Sequence, residues 1–455
     1  MKKIQKTARI NKASLRPTQT IALVFAGLIL LGTVLLALPI ASRTGKSCGL
    51  LPALFTATSA TCVTGLVLFD TWTQFSGFGQ GVLLALIEIG GLGFMSAASL
   101  VVFLLRKKVG MRQRMVMAQA LSVDDMENVV RLQKWVLFGS LGIQLTGALL
   151  LFLRFFPEYD FHRAAAWAVF HAVSAFCNAG FDIVGSVAPG QSMMVFYSDP
   201  VVLITLMALV VIGGLGFFVW DEVVHLRRFK KFSVYTKLVL LTTGILIIAG
   251  AAAFALLEWN NSETIGSMTI PEKILNCFFQ SVTLRTAGFT SINQAGLTEA
   301  GKAISVVLML IGGSSGSTAG GLKTVTLVVL LLFLRSRMRS QNAVNVFHRQ
   351  IHPNKVLDAM TLAALMIGLA FTGSIFISIN SHVPILDALF ETASALGTVG
   401  LTTGVTPLLG TASKLLIILF MYFGRVGILT LSLGFLIGNQ AEDRYRYAHT
   451  NLLIG

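Results

Sequence analysis

The chain contains, near its C-terminal end, the stretch Phe390-Glu-Thr-Ala-Ser-Ala-Leu-Gly-Thr-Val-Gly400-Leu401. In this arrangement a Phe stands ten residues before a Gly, and a large apolar residue follows the Gly. The same arrangement occurs three more times, at Phe55 to Leu66, Phe170 to Phe181 and Phe278 to Phe289. The four glycines are 115, 108 and 112 residues apart. The pattern therefore predicts four tandem repeats of about 110 residues.

A second, glycine-rich motif follows each copy. These motifs are Ile89-Gly-Gly-Leu-Gly-Phe94, Ile212-Gly-Gly-Leu-Gly-Phe217, Ile311-Gly-Gly-Ser-Ser315 and Phe423-Gly-Arg-Val-Gly427. Small residues let neighbouring helices approach closely within a membrane. Helix packing is therefore the interpretation that we favour for Gly90–Gly93 and Gly213–Gly216.

Hydrophobic residues make up 55% of the chain and charged residues only 12%, against about 25% charged in a typical soluble domain. The apolar residues form runs that approach the roughly 20 residues of a membrane-spanning helix. The eight runs are Ile21–Ala41, Gly81–Leu105, Trp135–Leu153, Val201–Trp220, Leu238–Leu257, Ile304–Leu322, Met360–Asn380 and Leu415–Gly424. We therefore predict an all-α integral membrane protein with eight spans.

The net charge of +15 is concentrated between these runs. Five segments hold 25 of the 35 basic residues and 8 of the 20 acidic ones: Met1–Thr18, Arg106–Lys134, Asp221–Lys237, Arg335–Asp358 and Gly438–Gly455. Basic segments that alternate with spans follow the positive-inside rule. This places both termini in the cytoplasm of a multi-pass protein, and it indicates a lipid bilayer rather than nucleic acid as the partner.

Each unit is predicted to hold a spanning helix, a short helix that re-enters the membrane, a glycine-containing turn and a second spanning helix. The four units would surround one pore in a pseudo-fourfold arrangement. The predicted boundaries are 1–18 for the N-terminal tail, 19–108 for repeat 1, 109–131 for a cytoplasmic loop, 132–231 for repeat 2, 232–340 for repeat 3, 341–438 for repeat 4 and 439–455 for the C-terminal tail.

Irregular backbone at membrane depth must be buried in protein or line a watery cavity. Four short helices that point their negative C-terminal ends at one axis would favour a cation there. Carbonyl groups after each helix could replace the water around a potassium ion, with Gly supplying positive φ. The predicted filter residues are Cys62, Val63, Thr64, Gly65, Cys177, Asn178, Ala179, Gly180, Arg285, Thr286, Ala287, Gly288, Gly397, Thr398, Val399 and Gly400.

The third copy is predicted to break its second helix, because each Gly in a helix costs up to about 1 kcal/mol relative to Ala. The intramembrane loop 311–324 would obstruct the pore as a gate. The predicted gate residues are Gly312, Gly313, Ser314, Ser315, Gly316, Ser317, Thr318, Ala319, Gly320, Gly321, Lys323 and Arg425. A nucleotide-binding P-loop is disfavoured, since Leu322 rather than Lys follows the last Gly.

Charged residues at membrane depth normally face protein or water. Arg425 would hydrogen-bond loop carbonyls, repel ions, or tie structurally to Glu391 or a helix end. Lys323 would act similarly or extend toward the membrane surface. We expect the Arg285 side chain to point behind the filter, and Glu88 and Glu391 to pair with such charges.

No spacing of His, Cys or carboxylates supports an enzyme or a resident metal site. The four cysteines form no Cys-x-x-Cys pair. We therefore predict a protein that is not an enzyme, that has no organic cofactor, and whose only metal ions are those it transports.

The four-unit plan and its motifs resemble the Trk/Ktr/HKT superfamily of potassium transporters. The resemblance is carried by Thr61-Cys-Val-Thr-Gly-Leu66, Cys177-Asn-Ala-Gly-Phe181, Arg285-Thr-Ala-Gly-Phe289, Gly397-Thr-Val-Gly-Leu401, the glycine-rich break and Phe423-Gly-Arg-Val-Gly427. It is strongest to the KtrB-type membrane subunits of bacterial Ktr systems, and it covers nearly the whole chain.

The resemblance implies potassium uptake across the bacterial cytoplasmic membrane, typically dependent on sodium as a coupling or activating ion. It also implies a homodimer with one pore per subunit, and a cytosolic KtrA-type ring that binds ATP or ADP and opens the loop. That ring would dock on Arg106–Arg114 and Arg227–Lys231. The alternatives are a less selective potassium and sodium channel, or a symporter with alternating access. Repeats that all run in one topology favour the channel-like pore over alternating access.

Overall fold

Long apolar helices alternate with short ones along the chain. The computed structural model describes residues 17–93, 129–341 and 343–427. Four helices in these residues are long and apolar enough to cross a membrane: α1 (Pro17–Ala37), α5 (Val129–Phe155), α9 (Val234–Glu258) and α13 (Pro353–Ser381). With 21 to 29 residues each, they extend about 32 to 44 Å.

A short helix packs against each long one. These helices are α2 (Leu50–Thr61), α6 (Phe161–Phe176), α10 (Ile270–Thr283) and α14 (Ile385–Gly397). Their 12 to 16 residues extend only about 18 to 24 Å, too little to cross a bilayer. Helix α6 begins at a cap in which the Asp160 carboxylate accepts from the Arg163 amide at 3.1 Å. A capping box of Thr269 and Glu272 begins α10.

A second helix follows each short one and contacts the next unit. These helices are α4 (Gly77–Leu92), α7 (Pro200–Leu215), α11 (Glu299–Leu310) and α15 (Thr411–Val426). Helix α4 packs on α6, α7 on α10, α11 on α14, and α15 returns to pack on α2. The contacts therefore run through the units in chain order and close into a ring.

One prediction about these second helices is wrong. The run Val201–Trp220 is not one continuous helix, because it bends by 98° at Gly216 and continues as α8 (Phe217–Leu226). Gly216 has a φ of 97°, which an L side chain rarely adopts. The third unit is therefore not the only one with a broken helix.

The second helices of the first and fourth units also end at glycines with positive φ, Gly93 at 80° and Gly427 at 93°. In the third unit the run Ile304–Leu322 is interrupted as predicted: α11 ends at Leu310 and α12 (Thr324–Met338) begins after the loop. Where eight spans are predicted, four described helices meet the length and hydropathy criteria, or five if the bent pair counts as one.

Shorter elements connect these helices. They comprise α3 (Thr71–Gln74), the antiparallel strands β1 (Asn345–Val346) and β2 (Arg349–Gln350), and 3₁₀ helices at Pro39–Ala41, Val184–Ser186, Ser192–Phe196, Phe229–Lys231 and Thr406–Leu408. The predicted C-terminal tail 439–455, residues 1–16 of the N-terminal tail, most of the loop 109–131 and the basic segment Arg106–Arg114 lie outside the described residues.

Glycines allow the second helices to touch the ends of the short ones. A β-carbon on Gly90 would collide with the carbonyl group of Thr61, the last residue of α2. A β-carbon on Gly213 would meet the Phe176 carbonyl at the end of α6 in the same way. The packing interpretation therefore holds at Gly90 and Gly213, whereas Gly216 marks the bend.

We expect Gly90→Ala to lower the thermal stability of the detergent-solubilised protein. The added methyl group would push α4 away from Thr61, and such overpacking typically costs about 1–3 kcal/mol. Gly139→Ala in α5 is the matched control, since no described atom lies within 4 Å of its β-carbon position. The measurement is a melting profile followed by fluorescence-detected size-exclusion chromatography. An equal loss of stability in both variants would contradict the close contact.

Candidate functional site

The four repeated glycines lie next to one another in the protein interior. A β-carbon built on Gly65 would be 3.2 Å from the Cα of Gly180, and one built on Gly180 would be 2.8 Å from the Cα of Gly288. The corresponding distances are 3.3 Å from Gly288 to Gly400 and 2.9 Å from Gly400 to Gly65. These four residues therefore form a closed set in chain order, which we call the glycine ring.

A carbonyl group from the neighbouring unit faces each glycine of the ring. A β-carbon on Gly65 would lie 2.5 Å from the Ala179 oxygen, one on Gly180 2.7 Å from that of Ala287, and one on Gly288 2.5 Å from that of Val399. The Thr64 oxygen faces Gly400 in the same way. The residue before each glycine thus contributes its carbonyl group to the ring, and no glycine leaves room for a side chain.

The backbone before each glycine has the same unusual conformation in all four units. The residue two positions before the glycine is left-handed, with φ of 56° at Val63, 60° at Asn178, 68° at Thr286 and 52° at Thr398. Such values are rare for residues other than Gly, and particularly for β-branched ones. The glycines themselves have φ between 68° and 95°. Strained backbone of this kind often occurs at functional sites.

Hydroxyl groups on the short helices fix the ring, and the sequence analysis missed them. Ser59 accepts from the Gly65 amide and Ser394 from the Gly400 amide, both at 3.0 Å. In the other two units the hydroxyl donates to the carbonyl after the glycine, from Ser174 at 2.7 Å and from Thr283 at 2.6 Å. A serine six residues before the glycine in units one, two and four is the signal that could have found them.

The third unit departs from the other three at Arg285. Its short helix ends in a tighter turn, in which the Ala287 amide donates to Thr283 at 2.9 Å. The buried Arg285 side chain reaches Thr243 of α9 at 3.4 Å, so it points away from the ring, in the direction expected. Its carbonyl group accepts from the Asn178 side chain at 3.4 Å.

All sixteen predicted filter residues are buried, and Arg285 is the only charged one among them. The short helices α2, α6, α10 and α14 end within a few residues of the glycine ring, so their negative ends approach it. Together with the converging carbonyl groups, this gives an environment that favours a small cation.

The loop 311–323 connects α11 to α12 and pairs with the bend of the second unit. The Ser314 amide donates to the Gly214 carbonyl at 3.0 Å, and the Phe217 amide donates to the Gly316 carbonyl at 2.8 Å. At the base of the loop, the Gly312 amide donates to the Leu322 carbonyl at 2.9 Å. Backbone hydrogen bonds therefore hold the loop at its base and against the second unit.

The same loop lies directly against two of the predicted filter segments. The Thr318 hydroxyl donates to the Phe176 carbonyl at 3.1 Å and lies 3.3 Å from the Asn178 amide oxygen. A β-carbon on Gly320 would collide with the side chain of Thr398. The loop therefore contacts the second and fourth filter segments on the side where the second helices end.

Arg425 joins the loop to the first unit. Its guanidinium donates to the Thr318 carbonyl of the loop, and to the carbonyl groups of Gly90 and Gly91 at 2.5 and 2.7 Å. Arg425 therefore bonds a loop carbonyl and also ties to a helix end, two of the contacts anticipated for it. Glu391, the other expected partner, takes its hydrogen bonds from two threonines.

Lys323 holds the next two carbonyl groups of the loop. Its amino group lies 2.8 Å from the Ala319 oxygen and 3.4 Å from that of Gly320. Tyr235 of α9 donates to the Ser315 carbonyl at 2.9 Å, a contact that the sequence analysis missed. Two basic side chains thus engage three consecutive carbonyl groups beside the predicted filter.

The expectation that Glu88 and Glu391 pair with cations is wrong within the described residues. Glu88 accepts from the Gln144 amide at 2.9 Å and from the Cys177 thiol at 3.3 Å. Glu391 accepts from Thr402 and, at 2.6 Å, from Thr406. Neutral donors thus reach one oxygen of Glu88 and both oxygens of Glu391, and sequence alone does not place such donors.

A further carboxyl group, that of Asp182, lies two residues beyond Gly180. Burial and the nearby carboxylate of Asp70 raise the pKa of Asp182 to about 6. Above that pH the Asp182 carboxylate is charged, which adds negative potential two residues beyond Gly180.

Comparison with known proteins identifies relatives along nearly the whole chain. The TrkH family, described as a cation transport protein, matches residues 4–444. The chain is 40% identical to the potassium/sodium uptake protein NtpJ of Enterococcus hirae, over 98% of this chain and 99% of that protein. It is also 40% identical to the Ktr system potassium uptake protein B of Bacillus subtilis, over 97% and 98% of the two chains.

The fold is similar to a solved structure, that of the potassium transporter TrkH from Vibrio parahaemolyticus. The TM-score is 0.73, and the match covers 95% of this chain and 86% of that one at 16% identity. At this identity the likeness establishes the helical fold alone.

Proposed function

The chain belongs to the TrkH family of cation transport proteins, and on that premise we propose that it takes up potassium ions across the bacterial cytoplasmic membrane. The observation that carries the proposal is the glycine ring, in which four units present one carbonyl group each next to a glycine without a side chain. Carbonyl groups in a ring can replace the hydration shell of a potassium ion. The names of the NtpJ and Ktr relatives support potassium as the ion.

The proposed pore is the axis of four units that together make eight passes of the membrane, some of them bent or interrupted. The ring of contacts from α4 to α6, α7 to α10, α11 to α14 and α15 to α2 supports this arrangement. The three basic segments between the units and the two at the chain ends support cytoplasmic termini.

A potassium ion would enter from the outer side, lose water and bind the carbonyl groups of Thr64, Ala179, Ala287 and Val399. For conduction, this binding must be weak enough for the ion to leave again. The second candidate is a pore that admits both potassium and sodium. It is favoured by the filter segments themselves. Gly397-Thr-Val-Gly400 most resembles a potassium-channel filter, whereas the other three segments keep only the one Gly.

The loop 311–323 is the proposed gate on the inner side of the ring. The charges of Arg425 and Lys323 would repel a cation that has passed the filter, while their hydrogen bonds hold the loop closed. The loop is rich in small polar residues, so moving it aside exposes little apolar surface. Opening therefore requires breaking a limited number of hydrogen bonds.

The proposed regulator is a cytosolic KtrA-type ring that binds ATP or ADP, working with a homodimer of this chain and with sodium as a coupling or activating ion. Its docking surface would include the exposed basic segment Arg227–Lys231. This segment directly follows α8, whose first amide, that of Phe217, bonds the loop at Gly316. A displacement of α8 by the regulator would therefore be transmitted to the loop.

We expect the chain, expressed with its regulatory subunit, to restore growth of potassium-uptake-deficient bacteria on low potassium. Growth should improve further when sodium is added. The measurement is growth rate against potassium concentration, with and without sodium, and membrane expression is checked by immunoblotting. A well-expressed protein that gives no rescue would contradict potassium uptake.

Gly288→Ser or Gly400→Ser should weaken discrimination between potassium and sodium, because the new β-carbon would meet a carbonyl group of the ring and turn it away. The measurement is the ratio of potassium to sodium flux into proteoliposomes. Gly45→Ser is the matched control, since it has a φ of 68° and no described atom within 4 Å of its β-carbon position. An unchanged ratio of potassium to sodium flux in both ring variants would contradict the assignment of these glycines to the filter.

Deletion of Gly313–Thr318 should raise the flux and make it less dependent on the regulatory subunit. The deletion removes the Thr318 contacts with Asn178 and Arg425 that hold the loop against the filter. Flux is compared with and without nucleotide-loaded regulator. A monodisperse deletion variant with unchanged, fully regulated flux would contradict the gate.

A further inference from the structure

The residue after the repeated Phe differs among the four short helices: Thr56, His171, Phe279 and Glu391. In the fourth unit, Glu391 is fully buried. One of its oxygens accepts from the Thr402 hydroxyl and the other from the Thr406 hydroxyl at 2.6 Å. Both threonines lie in the segment that leaves the glycine ring, two and six residues after Gly400.

His171 occupies the equivalent position in the second unit and makes the equivalent contact. It is buried, and its Nε2 accepts from the Ile183 amide at 3.3 Å, three residues after Gly180. Its Nδ1 lies 2.7 Å from the Trp167 carbonyl of its own helix and donates to it. Both ring nitrogens are therefore used, and the histidine links its helix to the segment beyond the ring.

The third unit makes this link from the next residue. Gln280 and Gln294 exchange two hydrogen bonds, at 2.7 and 3.0 Å, and both are buried. Gln294 lies six residues after Gly288, the same distance as Thr406 from Gly400. Three of the four units thus use a buried polar side chain to bind the outgoing segment to the short helix.

In the fourth unit two side chains on one face of α14 hold the segment that leaves the glycine ring. Residues three apart on a helix are neighbours on its surface, which places Glu391 beside Ser394. Ser394 holds the amide of Gly400 at 3.0 Å, and Glu391 holds Thr402 and Thr406. Residues 400–402 are therefore held at two points by hydrogen bonds to side chains of one helix.

We propose that Glu391 is a positioning residue for ion discrimination. It fixes the segment after Gly400 and thereby fixes the direction of the Val399 carbonyl group, which faces Gly288 in the ring. The inference rests on the proposed function, because it assigns Glu391 a role in a potassium filter. A purely structural carboxyl group would support folding without setting the preference among ions.

The test uses the full-length protein in proteoliposomes, with potassium, rubidium and sodium as the probes. Glu391→Ala should raise KM for potassium, or lower the ratio of potassium to sodium flux, by about fivefold or more, the size expected for losing one buried hydrogen bond. Glu391→Gln should be closer to the natural protein, since its amide oxygen still accepts from a threonine. Thr406→Val should reproduce part of the Glu391→Ala effect, and the two changes should not add in the double variant.

Ser374→Ala is the matched control. Ser374 is fully buried in α13, and its hydroxyl bonds only the Phe371 carbonyl of its own helix among the described residues. It should change neither KM nor the flux ratio. Unchanged KM and flux ratio in Glu391→Ala, or fully additive effects with Thr406→Val, would overturn the proposal.

If Glu391→Ala does not fold, Thr402→Val and Thr406→Val carry the same test, and unchanged ion preference in both would overturn the proposal equally. Natural protein that passes no potassium would overturn the proposed function instead. The two failures are therefore distinguishable.

Discussion

The backbone at the glycine ring is packed too closely to accept any side chain, and the rest of the structure depends on this constraint. Each glycine faces a carbonyl oxygen of the next unit at a distance that excludes a β-carbon. Four irregular segments can come this close inside a membrane only if their backbone groups are satisfied from within the protein. The serine and threonine hydroxyls of the short helices supply part of that satisfaction, and the long helices hold the short ones in place.

The second helices close the arrangement and also connect it to the loop. Because each second helix packs on the short helix of the next unit, a shift of one short helix is transmitted to the adjacent unit. Glycines at Gly90, Gly213 and Gly424 bring these helices into contact with the carbonyl groups of Thr61, Phe176 and Leu396. The loop 311–323 then joins the second unit through Gly214 and the fourth through Arg425.

Sequence patterns predicted the elements that depend on local spacing. The Phe-to-Gly interval located all four short helices, and the glycine-rich run after Leu310 located the loop. The bend at Gly216 was missed, because a glycine that allows close packing and a glycine with positive φ look the same in sequence. The partners of Glu88 and Glu391 were also missed, since hydroxyl, thiol and amide donors that lie 11 to 89 residues away leave no local pattern.

The four units sit in one polypeptide, and the third and fourth differ from the others at Arg285, the loop and Arg425. In a pore assembled from four identical subunits, any substitution changes every quadrant at once. Here a single codon alters one quadrant and leaves three intact. In the proposed pore, substitutions of this kind would change ion preference or closure by the loop one unit at a time during evolution.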